Sequence, residues 1–193
     1  MNFMEYYNKD TKTLTLEYDF NEELKDIPKE TEIIIFGYYF NKPVNNLPES
    51  LTNLNFGLYF NQKVDNLPKN LTHLTFNDDF NQSVNKLPKK LTHLTFGWSF
   101  DQPVKKLPEN LTHLTFGRNF NRKVDNLPKK ITHLTFGYYF NRKVDNLPEN
   151  LIHLTFGYYF NKSVITPFYK KMGHFYFFVK KYNCTHLRVS CKT

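Results

Sequence analysis

Five histidines, His73, His93, His113, His133 and His153, stand 20 residues apart, and His186 is a further candidate for the same series. Imidazoles at a fixed spacing can ligate a metal, titrate near neutral pH, or face a partner. Each of the five opens the tripeptide His-Leu-Thr, ahead of Phe. Read as a strand, this alternation puts His and Thr on one side and Leu and Phe on the other. Stacked strands would then place the rings in a row about 5 Å apart. A row does not converge on one ion as a tetrahedral site requires. Stacked imidazoles also repel once charged, which favours neutral rings. The row reads first as a stacking ladder and second as a partner-binding surface. Metal ligation comes third, and no metal site is assigned.

A second constellation is less uniform. The residues four and five places after each strand's Leu read Tyr18-Asp19, Tyr38-Tyr39, Leu58-Tyr59, Asp78-Asp79, Trp98-Ser99, Arg118-Asn119, Tyr138-Tyr139 and Tyr158-Tyr159. Tyr, Trp and Arg are the side chains that dominate binding energy at interfaces. Tyr at a strand end can equally cover the edge of a core, and both readings stand. The binding candidates are therefore Tyr38, Tyr39, Tyr59, Trp98, Arg118, Tyr138, Tyr139, Tyr158 and Tyr159, with His93, His113, His133 and His153 beside them.

A third feature is a basic strip of Lys86, Lys105, Lys106, Arg122, Lys123, Arg142 and Lys143, interleaved with Asp65, Asp125 and Asp145, in a chain of net charge +8. Such a strip suits a polyanion, although a solvated basic surface is the commoner meaning. Catalytic signatures are missing. The sequence has no Gly-rich phosphate loop, no HExxH and no GxSxG. No enzyme activity and no cofactor are expected. Cys184 and Cys191, the only cysteines, match no four-ligand zinc spacing.

These residues must be positioned by a repeat. Phe20, Phe40, Phe60, Phe80, Phe100, Phe120, Phe140 and Phe160 mark one place in eight successive 20-residue copies without insertion. Taking Leu111 as position 1 of its copy, Leu recurs at 4, Phe at 6 and 10, Asn at 11, Val at 14 and Leu-Pro at 17–18. A unit with about six apolar side chains cannot bury them alone, and stacking buries them against the same positions of the next coil. Positions 3–7 are expected to form a strand of about five residues, each parallel to its predecessor. Gly at position 7 is expected to end the strand by permitting a turn that other residues resist. The return path should be extended, since Pro fixes its own φ and pushes the preceding Leu towards extended backbone. Asn at position 11 is expected to satisfy backbone groups of the neighbouring coil.

The pattern LxxLxFGxxFNxxVxxLPxx resembles the FNIP repeat, a relative of the leucine-rich repeat found in social amoebae and amoeba-infecting giant viruses. ITHLTFGYYFN at 131–141 and LIHLTFGYYFN at 151–161 lie close to the family core. Only Asn41-Lys42-Pro43-Val44 and Asp101-Gln102-Pro103-Val104 keep the Pro that usually follows the Phe-Asn pair. The resemblance implies a curved solenoid of the leucine-rich-repeat type, mainly β, with a parallel sheet on its concave face and little helix. Phe120-Asn121 falls one place away from the apolar and Asn positions of the common leucine-rich repeat, which leaves a plainer β-solenoid open.

The expected organisation is a single domain: residues 1–10 cap the first coil, 11–170 form the eight repeats, and 171–193 form a C-terminal cap with a ninth strand at 184–190. In that cap the aromatic segment HFYFFVKKY folds over the end of the stack. Without a secretory signal or an apolar run long enough to cross a membrane, the expected location is the cytoplasm, that of the host if the source is viral. The expected function is a non-enzymatic scaffold binding an unidentified protein, a host-cell protein among the candidates, through the concave sheet. Nucleic-acid or polyanion binding by the basic strip is the alternative, and no membrane partner is expected.

Overall fold

The computed structural model of the chain describes residues 3–166, 178–181 and 189–191. Its repeats form strands of three residues: β2 (Thr13–Thr15), β3 (Ile33–Ile35), β4 (Asn53–Asn55), β5 (His73–Thr75), β6 (His93–Thr95), β7 (His113–Thr115) and β8 (His133–Thr135). The last copy has four, in β9 (His153–Phe156). The regular part is thus shorter than the five residues expected, because the chain leaves the ladder before position 7. Each strand pairs in parallel with the one before, residue for residue, so that His93 lies beside His113 and Leu94 beside Leu114. A constant 20-residue period allows only this register, since a slip by one would turn every Leu to the outside.

The second to seventh coils bury positions 1, 4, 6, 10, 14 and 17, as in Leu111, Leu114, Phe116, Phe120, Val124 and Leu127, whereas in the first coil Thr11 is exposed and Leu24 and Ile27 are only partly buried. The two Phe residues of a coil stack at 3.7–4.0 Å between ring centroids. Each also stacks on its equivalent in the next coil, at 5.7 Å for Phe96–Phe116 and 6.0 Å for Phe100–Phe120. The core is therefore two parallel columns of rings running the length of the stack. No α-helix occurs among the described residues, and none of their helices is long and apolar enough to cross a membrane. The return path is irregular, as expected. It turns at Leu-Pro, where the position 1 N–H donates to the Pro carbonyl (Leu111 N to Pro108 O, 3.2 Å).

Glycine at position 7 has a different role from the one expected. No glycine among the described residues has a positive φ, so backbone freedom is not what the position needs. A Cβ on Gly117 would lie 1.8 Å from the carbonyl oxygen of Gly97. The coils touch backbone to backbone here, and a side chain has no room. Glu17, in the first coil, and Asn77 are the exceptions, and Asn77 Nδ2 donates to Phe56 O at 2.8 Å.

The expected role of Asn at position 11 holds. Asn41, Asn61, Asn81, Asp101, Asn121, Asn141 and Asn161 each donate their backbone N–H to the side-chain oxygen of the residue 20 before, at 2.9–3.2 Å. Asp101 fits because the position needs an acceptor, and a carboxylate oxygen is one.

At the N-terminal end, a 3-10 turn (Phe3–Glu5) and β1 (Tyr7–Asn8) close the stack. Phe3 packs edge-on against Phe20 at 5.9 Å, and β1 pairs antiparallel with β2. Phe3 and Tyr7 are buried, while Met4 is exposed. At the other end the strand expected at 184–190 lies mostly outside the described residues. The main sheet is continued instead by β11 (Phe178–Lys181), which pairs in parallel with β9 and sets Val179 beside Leu154. That strand comes from the segment expected to fold over the end of the stack. Its aromatic and β-branched residues favour strand geometry, and the open edge of β9 offers unpaired backbone groups. β12 (Val189–Cys191) pairs with β10 (Val164–Thr166) in a separate two-stranded sheet.

Candidate functional site

The outward face of the main sheet carries its side chains in columns, because every coil repeats the same positions in register. Position 3 supplies the histidines and position 5 a row of Thr. Position 7 supplies Gly, and positions 8 and 9 the aromatic and charged residues.

The histidine rings of His73, His93, His113 and His133 stack at 4.2 Å between successive centroids, and His133–His153 at 4.4 Å. The Thr one residue before each of the first four holds the ring. Thr112 Oγ1 lies 2.9 Å from His113 Nδ1 and 3.2 Å from Thr92 O, and Thr72, Thr92 and Thr132 repeat the arrangement. A hydroxyl has one proton to give. The carbonyl can only accept it, so Oγ1 accepts from Nδ1–H. This arrangement favours the Nδ1–H tautomer, with Nε2 as the unprotonated ring nitrogen. Burial, and then the charge of neighbouring imidazoles, holds the pKa values of His93, His113 and His133 below the ordinary histidine value. Among the described residues, no group of three or more His, Cys, Asp or Glu is placed to hold a metal ion. Stacked rings direct their lone pairs side by side rather than to a common point.

Positions 8 and 9 form two aromatic clusters. In the first, Tyr18 stacks on Tyr38 at 4.8 Å and Tyr39 on Tyr59 at 5.1 Å. Tyr18, outside the candidate set drawn from the sequence, belongs with them, and its place at position 8 was the signal. In the second, Tyr138 stacks on Tyr158 at 5.3 Å and Tyr139 on Tyr159 at 5.3 Å. The Arg118 guanidinium lies 5.1 Å from the centroid of Trp98, 5.1 Å from Tyr138 and 5.6 Å from Tyr139. Trp98 and Tyr138 stand on the rungs before and after Arg118, so the guanidinium is flanked by rings along the column. Asp78 and Asp79 separate the two clusters. The candidates thus fall into three contiguous groups, the histidine row and the two aromatic clusters, with Trp98 and Arg118 in the second cluster.

Part of the basic strip is engaged within the fold. Arg122 pairs with Asp101 at 2.9 Å, Arg142 Nε donates to Asn121 O at 2.8 Å, and Lys86 is 3.4 Å from Asp65. These contacts cross from one coil to the next and tie the return paths together.

A profile of the FNIP Repeat matches residues 20–59, 60–97 and 100–139, more than half of the chain. The chain belongs to the FNIP-repeat family. No curated protein matches it. Among solved structures it is similar to CroV588, a giant-virus protein described as a novel circular LRR protein, with 43% identity and a TM-score of 0.77 over 90% of this chain. This FNIP-repeat chain spans 27% of the length of that protein. The mainly β solenoid with a parallel sheet, implied by the pattern LxxLxFGxxFNxxVxxLPxx, is thus the architecture the chain adopts, and it is similar to a leucine-rich-repeat protein.

Proposed function

We propose that this FNIP-repeat chain is a non-enzymatic scaffold that binds a protein partner across the outward face of its main sheet. The observation that carries this reading is the placement of the exposed large apolar side chains. Among the described residues, Tyr18, Tyr38, Tyr39, Tyr59, Trp98, Tyr138, Tyr139, Tyr158 and Tyr159 are exposed at positions 8 and 9, and only Met4, Ile35 and Ile152 are exposed elsewhere, while the Phe positions of the repeat are buried. Trp98 is 55% exposed. Exposed aromatic clusters of this kind mark interaction sites, and Tyr, Trp and Arg are their usual anchors. The stack presents them preformed, which lowers the cost of ordering on binding. The FNIP and leucine-rich-repeat relationship supports a repeat scaffold.

The second reading is polyanion binding. Residues 1–60 carry ten acidic and five basic side chains, whereas residues 61–193 carry eight and twenty-one. The basic excess is thus confined to the part of the chain after residue 60.

Affinity capture from host-cell lysate, with and without nuclease, separates the two. A protein captured in both arms, and lost with Trp98→Ala and Tyr138→Ala, supports the scaffold. Capture that disappears with nuclease and weakens steeply with salt moves the function to the basic strip.

A further inference from the structure

We propose that Arg118 is a carboxylate anchor, so that the partner docks through an acidic residue flanked by apolar ones. This inference rests on the protein-binding reading above and adds the chemistry of the partner.

Four observations converge on Arg118. Its guanidinium is exposed and flanked by the rings of Trp98 and Tyr138. It forms no ion pair among the described residues, whereas Arg122, four residues on, is paired with Asp101. The outward face of coils five to eight has no carboxylate at positions 3, 5, 7, 8 or 9, and Asp78 and Asp79 stand two coils before Arg118. An open groove of about 590 Å³ runs beside it, lined by Trp98, Arg118, Tyr138, Gly97, Gly117 and Gly137 among others.

Each feature has a consequence. With Trp98 and Tyr138 each 5.1 Å from the Arg118 Cζ and no ion-pair partner among the described residues, the guanidinium N–H donors are open to a ligand. Those donors match a carboxylate in the bidentate geometry that Arg offers and Lys does not. Partial exclusion of water by the rings strengthens the pairing. The missing local carboxylate means that an acidic partner meets no competitor and no repulsion. The glycines leave bare backbone beside the aromatic rims, where an apolar side chain next to the acidic residue fits. Nucleic acid also stacks on aromatic rings, but its phosphates repeat along the strand and need a track of cations. At positions 3, 5, 7, 8 and 9 of coils five to eight, Arg118 is the one cation. Arg122 and Arg142 follow the buried Phe120 and Phe140 in their coils and are held by Asp101 and Asn121 O.

The test is to pan a phage-displayed random peptide library against the immobilised full chain and to measure the enriched peptides by fluorescence polarisation. The expected consensus holds an Asp or Glu beside an aromatic or large aliphatic residue. Arg118→Gln in the protein, and Glu→Gln in the peptide, should each weaken binding roughly tenfold or more, as expected for a charge-assisted hydrogen bond. Together they should cost little more than either alone. Circular dichroism of Arg118→Gln should match the parent, since the residue is exposed. Enriched peptides without an acid, indifferent to Arg118→Gln but lost with Trp98→Ala/Tyr138→Ala, would overturn the anchor and leave the protein-binding face standing. No enrichment over that double variant would overturn both. Displacement of bound peptide by an oligodeoxythymidylate at low salt, undiminished in Arg118→Gln, would overturn the anchor in favour of a polyanion site.

Discussion

Thr112 gives its hydroxyl proton to Thr92 O and receives the Nδ1 proton of His113, so one threonine ties a coil to its predecessor and sets the tautomer of the adjacent ring. The hydroxyl links two kinds of order, the backbone ladder between coils and the chemistry of the outward face. Long-range proton–nitrogen NMR on the imidazoles should therefore report Nδ1–H for His93, His113 and His133 at neutral pH. Thr112→Val should release His113 towards the other tautomer and cost about 1 kcal/mol for the lost hydrogen bonds.

Stability should fall on acidification. Burial and neighbouring imidazoles lower the pKa values of His93, His113 and His133. The unfolded chain, with ordinary pKa near ~6.5, then takes up protons first as pH falls. The stability contributed by neutral rings is complete above that value and is lost as pH drops through the folded values. The thermal midpoint should decline below about pH 6.5. The triple variant His93→Asn/His113→Asn/His133→Asn should show a shallower decline, and Asn53 already occupies this place in the third coil. An unchanged slope would mean that these rings do not drive the dependence.

The side chain at position 11 acts through its acceptor oxygen. Asn121 Oδ1 accepts from Asn141 N at 3.1 Å, and Asp101 does the same for Asn121 N at 2.9 Å. Asn121→Asp should be close to neutral in urea unfolding. Asn121→Ala strands the N–H of Asn141 and should cost about 1–3 kcal/mol.

Gly117 is required by the coil before it. Its Cβ would meet Gly97 O at 1.8 Å and Phe96 O at 2.9 Å. Gly117→Ala should destabilise by about 3 kcal/mol, at the upper end of overpacking costs. Gly117→Asn should cost less, because its amide can donate to Phe96 O as Asn77 donates to Phe56 O. Equal costs for the two would show that Asn77 owes its place to something other than this hydrogen bond.

Phe116 stacks on Phe120 at 3.8 Å and on Phe96 and Phe136 at 5.7 and 5.6 Å. Phe116→Ala should cost about 3–5 kcal/mol by leaving a cavity between coils. Denaturant unfolding that gives a much smaller loss would mean that the ring column re-closes.

The face that carries the candidate site could be named from residue spacing, but its chemistry could not. His-Leu-Thr alternation told which side His113 occupies. It was silent on Thr112, whose position 2 hydroxyl reaches back to Thr92. Tyr138 and Tyr158 were legible as neighbours because they share a position 20 residues apart. That Arg118 lies between two rings, while Arg122 is taken by Asp101, depended on side-chain direction at a corner of the coil.

The sequence by itself determined the period, the parallel register and the buried set. An uninterrupted 20-residue repeat permits one stacking, and alternation of Leu and Phe with His and Thr chooses the inside. Only the tertiary structure decided why Gly stands at position 7, which oxygen of Asn is used, which histidine nitrogen holds the proton, and that Phe178–Lys181 continues the main sheet. Those outcomes turn on atoms of adjacent coils meeting within a few ångströms. A pattern along one chain records which residues recur, and the distance between recurrences is set only when the coils pack.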